Sequence, residues 1–224
     1  MQSNVETIDT HGNDTSNLES VHGIPTEFFI DAITDGISDF NSVNTYYPRT
    51  ASGSRAWEKI VATLRQRVVE ECDGWCHRHE NGMALLVNAA RGLTIVVTSG
   101  NKDTGVSETL TPKTRNKKGP AVQDMVNRNY SLFSESQPEG VSSISVDGHQ
   151  TWIFLYHIDK ELREVRAELS LPTEIELSGS KGGLKVSSWA KRVLFVPVPF
   201  DGQSFVPLEQ EFTEEQDFFE PKKK

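Results

Sequence analysis

"REVRAELSL", residues 163–171, alternates without a break. Val165, Ala167, Leu169 and Leu171 fall on one side, and Glu164, Arg166, Glu168 and Ser170 on the other. A period of two is the signature of a β-strand, whose successive side chains point to opposite faces of the sheet. The pattern predicts a strand with one buried and one wet face, as in an antiparallel sheet. Upstream, "TWIFLYHI" (151–158) reads as another strand, and Asp159-Lys160 turns the chain between the two. "SSISV" (142–146) precedes it across Asp147-Gly148, a pair favoured where both central turn residues need positive φ, so a hairpin is expected there. "ALLVNAA" (84–90) and "LTIVVTS" (93–99) form another across Arg91-Gly92. "WAKRVLFVPV" (189–198) gives a last strand, ended by prolines that cannot donate to a ladder.

Helices frame these strands. In "SRAWEKIVATLRQRVVEECDGW" (54–75), Trp57, Ile60, Val61, Leu64, Val68 and Cys72 form one stripe. Ser54 suits the N-cap and Gly74 the left-handed residue past the end. "GPAVQDMVNRNYSLF" (119–133) places Val122, Met125, Val126 and Phe133 on one face, with Pro120 opening the helix. The fold expected is α+β: an antiparallel-rich sheet of five or six strands, with both helices on one face.

Charge divides the chain into parts. Of a formal net charge of -9, residues 1–53 contribute -7 and residues 209–224 contribute -3, so residues 54–208 are close to neutral. This suggests a polar, disordered segment over 1–24, a short acidic amphipathic segment and linker over 25–53, a single domain over 54–208, and an acidic-aromatic tail over 209–224. Within "IPTEFFIDAITDGISDF" (24–40), Phe29, Ile30, Ile33, Ile37 and Phe40 recur at helical spacing. Such a helix packs on its own core or docks in a partner's groove. For docking, Phe29 and Ile33 are the anchors here, and Phe212, Phe218 and Phe219 those of the tail. No run of about 18 apolar residues suggests a membrane span. The first residues have no basic start or apolar stretch of a secretory signal, and two cysteines make no disulfide framework. The expectation is a cytoplasmic protein with reduced thiols. Asn129-Tyr130-Ser131 matches a glycosylation sequon without the signal that would give it meaning.

The chemistry concentrates in residues 99–120, "SGNKDTGVSETLTPKTRNKKGP". Roughly twenty residues without a pattern are uncommon inside a tight domain, and such loops tend to be functional or disordered. Lys113, Arg115, Lys117, Lys118 and Gly119 precede a helix N-terminus, where free amides favour an anion. Nucleic-acid phosphate, a nucleotide or an acidic protein segment are the ligands this predicts. A solvated connecting loop is the bland reading. "SGNKDTG" and "SGSKGG" (178–183) lack the spacing of a phosphate-binding loop and read as turns.

Two other groupings bear on catalysis or metal binding. Cys72, Cys76, His77 and His79 suit zinc by residue type but not by spacing, and Cys72 also completes an apolar stripe. Asp159, Glu164 and Glu168 could bind a divalent metal in a nuclease, against the simpler reading of cross-strand ion pairs on a wet face. No hydrolase elbow, paired-histidine metalloprotease motif or deaminase motif occurs. The expected function is therefore a non-catalytic binding, adaptor or regulatory protein of a nucleic-acid-handling complex, with no cofactor. Protein partners would dock on the acidic tails, and DNA or RNA on loop 99–120. A metal-dependent nucleic-acid enzyme and a nucleotide or small-molecule sensor are the alternatives.

Overall fold

The computed structural model describes residues 19, 21–133, 149–178 and 183–200. Its elements in chain order are α1 (Thr26–Asn41), α2 (Ala51–Glu71), β1 (Cys76–Glu80), β2 (Met83–Asn88), β3 (Leu93–Ser99), α3 (Pro120–Phe133), β4 (Gln150–Asp159), β5 (Glu164–Ser178), β6 (Gly183–Leu194) and β7 (Val198–Pro199). The fold is α+β, with the seven strands in one mixed, mostly antiparallel sheet of order β1-β2-β3-β4-β5-β6. The short β7 pairs with β5.

The continuous apolar run of β4 marks the centre. Trp152, Phe154 and Tyr156 face the core under α1 and α2, while Ile153 and Leu155 face α3. A strand covered on both faces has no polar side to alternate with. The long helices therefore lie on opposite faces: α2 packs on one and α3 on the other. This corrects the expectation that both share a face. Strand β4 pairs in parallel with β3, from Leu93↔Gln150 to Ser99↔Tyr156, and antiparallel with β5. Parallel neighbours need a crossover; here it contains residues 100–119 and α3. The expected partner strand 142–146 and its Asp147-Gly148 turn lie outside the described residues. Where β5 does not reach, Asn129 of α3 fills in. Its amide accepts from Thr151 N–H (2.9 Å) and donates to the carbonyls of Thr151 (2.8 Å) and Pro172 (3.1 Å).

Helix α1 belongs to the domain. Phe29 and Ile33 are fully buried, and the Phe29 ring sits 5.0 Å from Phe154 and 5.1 Å from Phe195. They are core residues, not docking anchors. Two acids of α1 face α2: Asp31 pairs with Arg67 (2.8 Å), and Asp35 with Lys59 (3.4 Å) and Thr63 Oγ1 (2.7 Å). At Gly36 a Cβ would stand 2.4 Å from Ile60 Cγ1, so glycine sets the closeness of the two helices. The domain starts earlier still, since Ile24 is fully buried and the His22 carbonyl accepts from the Trp75 indole (3.2 Å). The boundary expected at residue 54 moves accordingly. Helix α2 begins at Ala51 after Thr50, three residues before the expected cap at Ser54.

Strand β5 runs well past 171. Its register against β6 shifts at Pro172 and Glu174, because proline cannot donate there and the ladder bulges. The bend turns the far halves of β5 and β6 back toward β3. Residues 113–118 bridge the gap, with Arg115 N–H donating to Ser99 O (2.9 Å), Thr114 N–H to Val186 O (3.1 Å) and Lys118 N–H to Leu184 O (2.7 Å). The strands β3, β4, β5 and β6 and this segment thus form a closed hydrogen-bonded ring.

Candidate functional site: the β3–α3 loop

The wet face expected of β5 is not wet. Glu168 and Ser170 are fully buried and Arg166 and Arg192 nearly so. Residues 100–112 cover them. Glu168 Oε1 accepts from Ser170 Oγ (2.6 Å) and Arg192 Nε (3.0 Å); its Oε2 accepts from Arg192 Nη2 (2.6 Å) and Gly105 N–H (2.9 Å). Four donors use the acceptor capacity of the carboxylate, which is how a buried charge is tolerated. The remaining arm of Arg192, Nη1, donates to the carbonyls of Leu110 (2.7 Å), Glu108 (3.3 Å) and Ser107 (3.4 Å). Trp189 Nε1 donates to Pro112 O (2.8 Å). The interior ion pair thereby ties the loop to the sheet.

Gly105 is fitted to that position. Its φ is 65°, and a Cβ would lie 2.9 Å from both N and O of Ala167. Gly105→Ala is expected to lower stability by about 1–2 kcal/mol from the left-handed backbone alone, with the clash adding to it. The urea unfolding midpoint measures this.

The other carboxylates of the nuclease reading are also engaged. Asp159 Oδ1 accepts from the N–H groups of Glu161 and Leu162 (both 3.0 Å), and its Oδ2 from Arg166 Nη2 (2.8 Å). The Leu162 amide, followed by that of Glu161 and the Arg166 charge, holds its carboxyl below the ordinary range. Glu164 lies 3.9 Å from Arg166 Nε. Asp159 and Glu164 are cross-strand partners, but Arg166 stands between them and Glu168 on the strand. Arginines, not an open metal site, organise these acids. Nor do the four zinc candidates converge. Cys72 ends α2, half-buried, and burial raises its thiol pKa. Cys76, His77 and His79 lie on β1, a strand not anticipated, where Cys76 and His77 point to opposite faces. His79 Nε2 is 3.3 Å from Arg65. Among the described residues, no group of three or more His, Cys, Asp or Glu could hold a metal ion.

The loop's cations divide into two kinds. Lys113 Nζ pairs with Glu176 (2.7 Å), a contact that lowers the Glu176 pKa. Lys118 turns inward, its ammonium donating to Thr98 Oγ1 at 2.5 Å, and burial brings its pKa down to about 8. Arg115 and Lys117 are exposed. A Cβ at Gly119 would meet nothing, so close approach there requires no glycine. Phe212, Phe218 and Phe219 lie outside the described residues.

Lys118 gives the loop a pH signature. Its unfolded pKa is near 10.4, so between pH 8 and 10 the unfolded chain holds more protons than the folded one. Stability from this residue then rises with pH across that window. Lys118→Met should flatten the rise relative to the parent chain in urea titrations at pH 8, 9 and 10. Burial raises the Tyr156 pKa, an effect of opposite sign that sets in toward pH 10 as the unfolded phenol ionises and is shared by the parent and variant chains.

Sequence reasoning also missed the exposed position of Trp57. Pairing of β2 with β3 ends at Leu85↔Val96. Beyond it the Val97 carbonyl accepts from Trp57 Nε1 at 3.1 Å, and the indole remains 38% exposed. The hint available was its place at the first turn of an otherwise aliphatic stripe.

The fold and this loop define an α+β protein with a structural ion pair under residues 100–112 and a basic segment, residues 113–118, that bridges β3 and β6. No family model matches the chain, and no curated protein or solved structure matches it either. Among the described residues no helix is long and apolar enough to cross a membrane.

Proposed function

We propose that this protein is a non-catalytic binding module of a nucleic-acid-handling complex, with Arg115 and Lys117 as its phosphate contacts. One observation carries the reading. The acids of the nuclease alternative are occupied by arginines, whereas Arg115 and Lys117 are exposed on a segment held by backbone bonds on both sides. Cations on an ordered segment bind with less ordering cost than cations on a loose loop. The acidic-aromatic segment 209–224 supplies a docking peptide for a protein partner, its phenylalanines giving burial and its acids solubility.

Oligonucleotide binding by the full chain across a salt series tests this. The Arg115→Ala, Lys117→Ala double variant is expected to lose about 1.4 units of log-log salt slope on single strands, or about 1.8 on duplex. An unchanged slope, or no binding by the parent chain at low salt, removes the reading.

A further inference from the structure

The phosphate-binding reading leaves open which form of nucleic acid is bound, and Trp57 bears on that choice. The indole is anchored through Nε1 to Val97 O, and Arg115 is anchored through its backbone N–H to Ser99 O. These carbonyls are two residues apart on one edge of β3, roughly 6.6 Å at the usual strand rise. The side chains also share a face. Thr114 is buried between the strands that flank it, so Arg115, its neighbour, points away from that interior. In the antiparallel bridge Gly100↔Thr114, Arg115 stands opposite Ser99, which shares its face of β3 with Ile95 and Val97 of the cluster under α1 and α2. Trp57 comes from α2 on the same side.

An exposed ring fixed in orientation, beside an exposed cation with a second two residues further along the same segment, is what a single strand needs. An unstacked base lies on the aromatic face while its phosphate meets the cations, whatever the sequence. A paired duplex keeps its bases stacked and offers no free face. Resting on the proposed function above, we infer that the ligand of this surface is single-stranded nucleic acid, with Trp57 as the stacking platform and Arg115 and Lys117 as its phosphate contacts.

The protein carries its own probe. Of its four tryptophans, Trp75, Trp152 and Trp189 are 5%, 3% and 6% exposed, against 38% for Trp57. Ligand quenching of intrinsic fluorescence therefore reports on Trp57. Titrations of the full chain with oligo-dT, oligo-rU, a duplex of equal length and inorganic polyphosphate are expected to show quenching by one or both single strands, and weaker binding of the other two. Trp57→Leu should weaken single-strand binding at least about fivefold, the low end for one stacked base, while Trp57→Phe should retain most of it. Should Trp57→Leu not fold, the quenching of the parent chain decides alone. Binding without quenching, or tighter binding of duplex or polyphosphate, overturns the stacking inference and leaves the phosphate contacts standing. If none of the four ligands binds, both readings fall. The oligo-dT and oligo-rU arms separate DNA from RNA.

Discussion

Glu168→Ala is expected to cost about 3–5 kcal/mol of unfolding free energy, the range seen when one partner of a buried ion pair is removed. The reason is local. Arg192 is only 3% exposed and would keep its charge in the interior, with Ser170 and Gly105 losing their acceptor as well. Arg192→Leu should cost as much, because it strips the donors from the carbonyls of Ser107, Glu108 and Leu110. The Glu168→Leu, Arg192→Leu double variant should be more stable than the sum of the single losses implies, since neither charge is then stranded. Urea unfolding of the four proteins closes the cycle. Limited trypsin digestion adds a second readout: the single variants should be cut faster at Lys102, in the segment this pair holds down. Additive losses would mean that the pair is not the anchor described.

Phe29→Ala should cost about 3–5 kcal/mol, as for other buried aromatic residues cut to alanine. Each kcal/mol corresponds to about 2–4 °C in the melting temperature of a protein of this size. The same change would leave stability untouched if α1 were a peptide awaiting a partner. Calorimetry therefore separates the two roles without knowing any partner. A truncation starting at residue 41 should not fold at all, because it uncovers the cluster formed with Phe154 and Phe195.

These expectations show which interactions a sequence displays and which it hides. The stripe Ile60, Val61, Leu64 and Val68 announced α2, and Gly74, with φ 77°, was the left-handed residue expected after it. The β2–β3 turn and the Asp159 turn into β5 were legible for the same reason, as each is decided within a few residues. The continuous run of β4 was legible as a strand. Its parallel partner was not, since the pairing with β3 depends on a long crossover. Strand β1 was hidden because "CHRHE" is polar on both sides, and its five residues are all exposed.

What the sequence determined by itself is the α+β class, the positions of the main helices and most strands, and the existence of an unusual basic segment between a strand and a helix. Local periodicity and turn chemistry suffice for these. Tertiary structure decided what covers each face. The polar side of "REVRAELSL" became interior because Arg192 and Gly105, 24 and 63 residues from Glu168, supply its donors. The acidic helix α1 became core because Lys59 and Arg67 neutralise its outer side and Phe154 receives its inner one. Of the four cations in the basic segment, Glu176 took one and Thr98 another, leaving Arg115 and Lys117 exposed, with Arg115 anchored on the same edge of β3 as Trp57. A period fixes which side chains share a face; only the assembled fold fixes whether water, a partner or the chain itself lies against it.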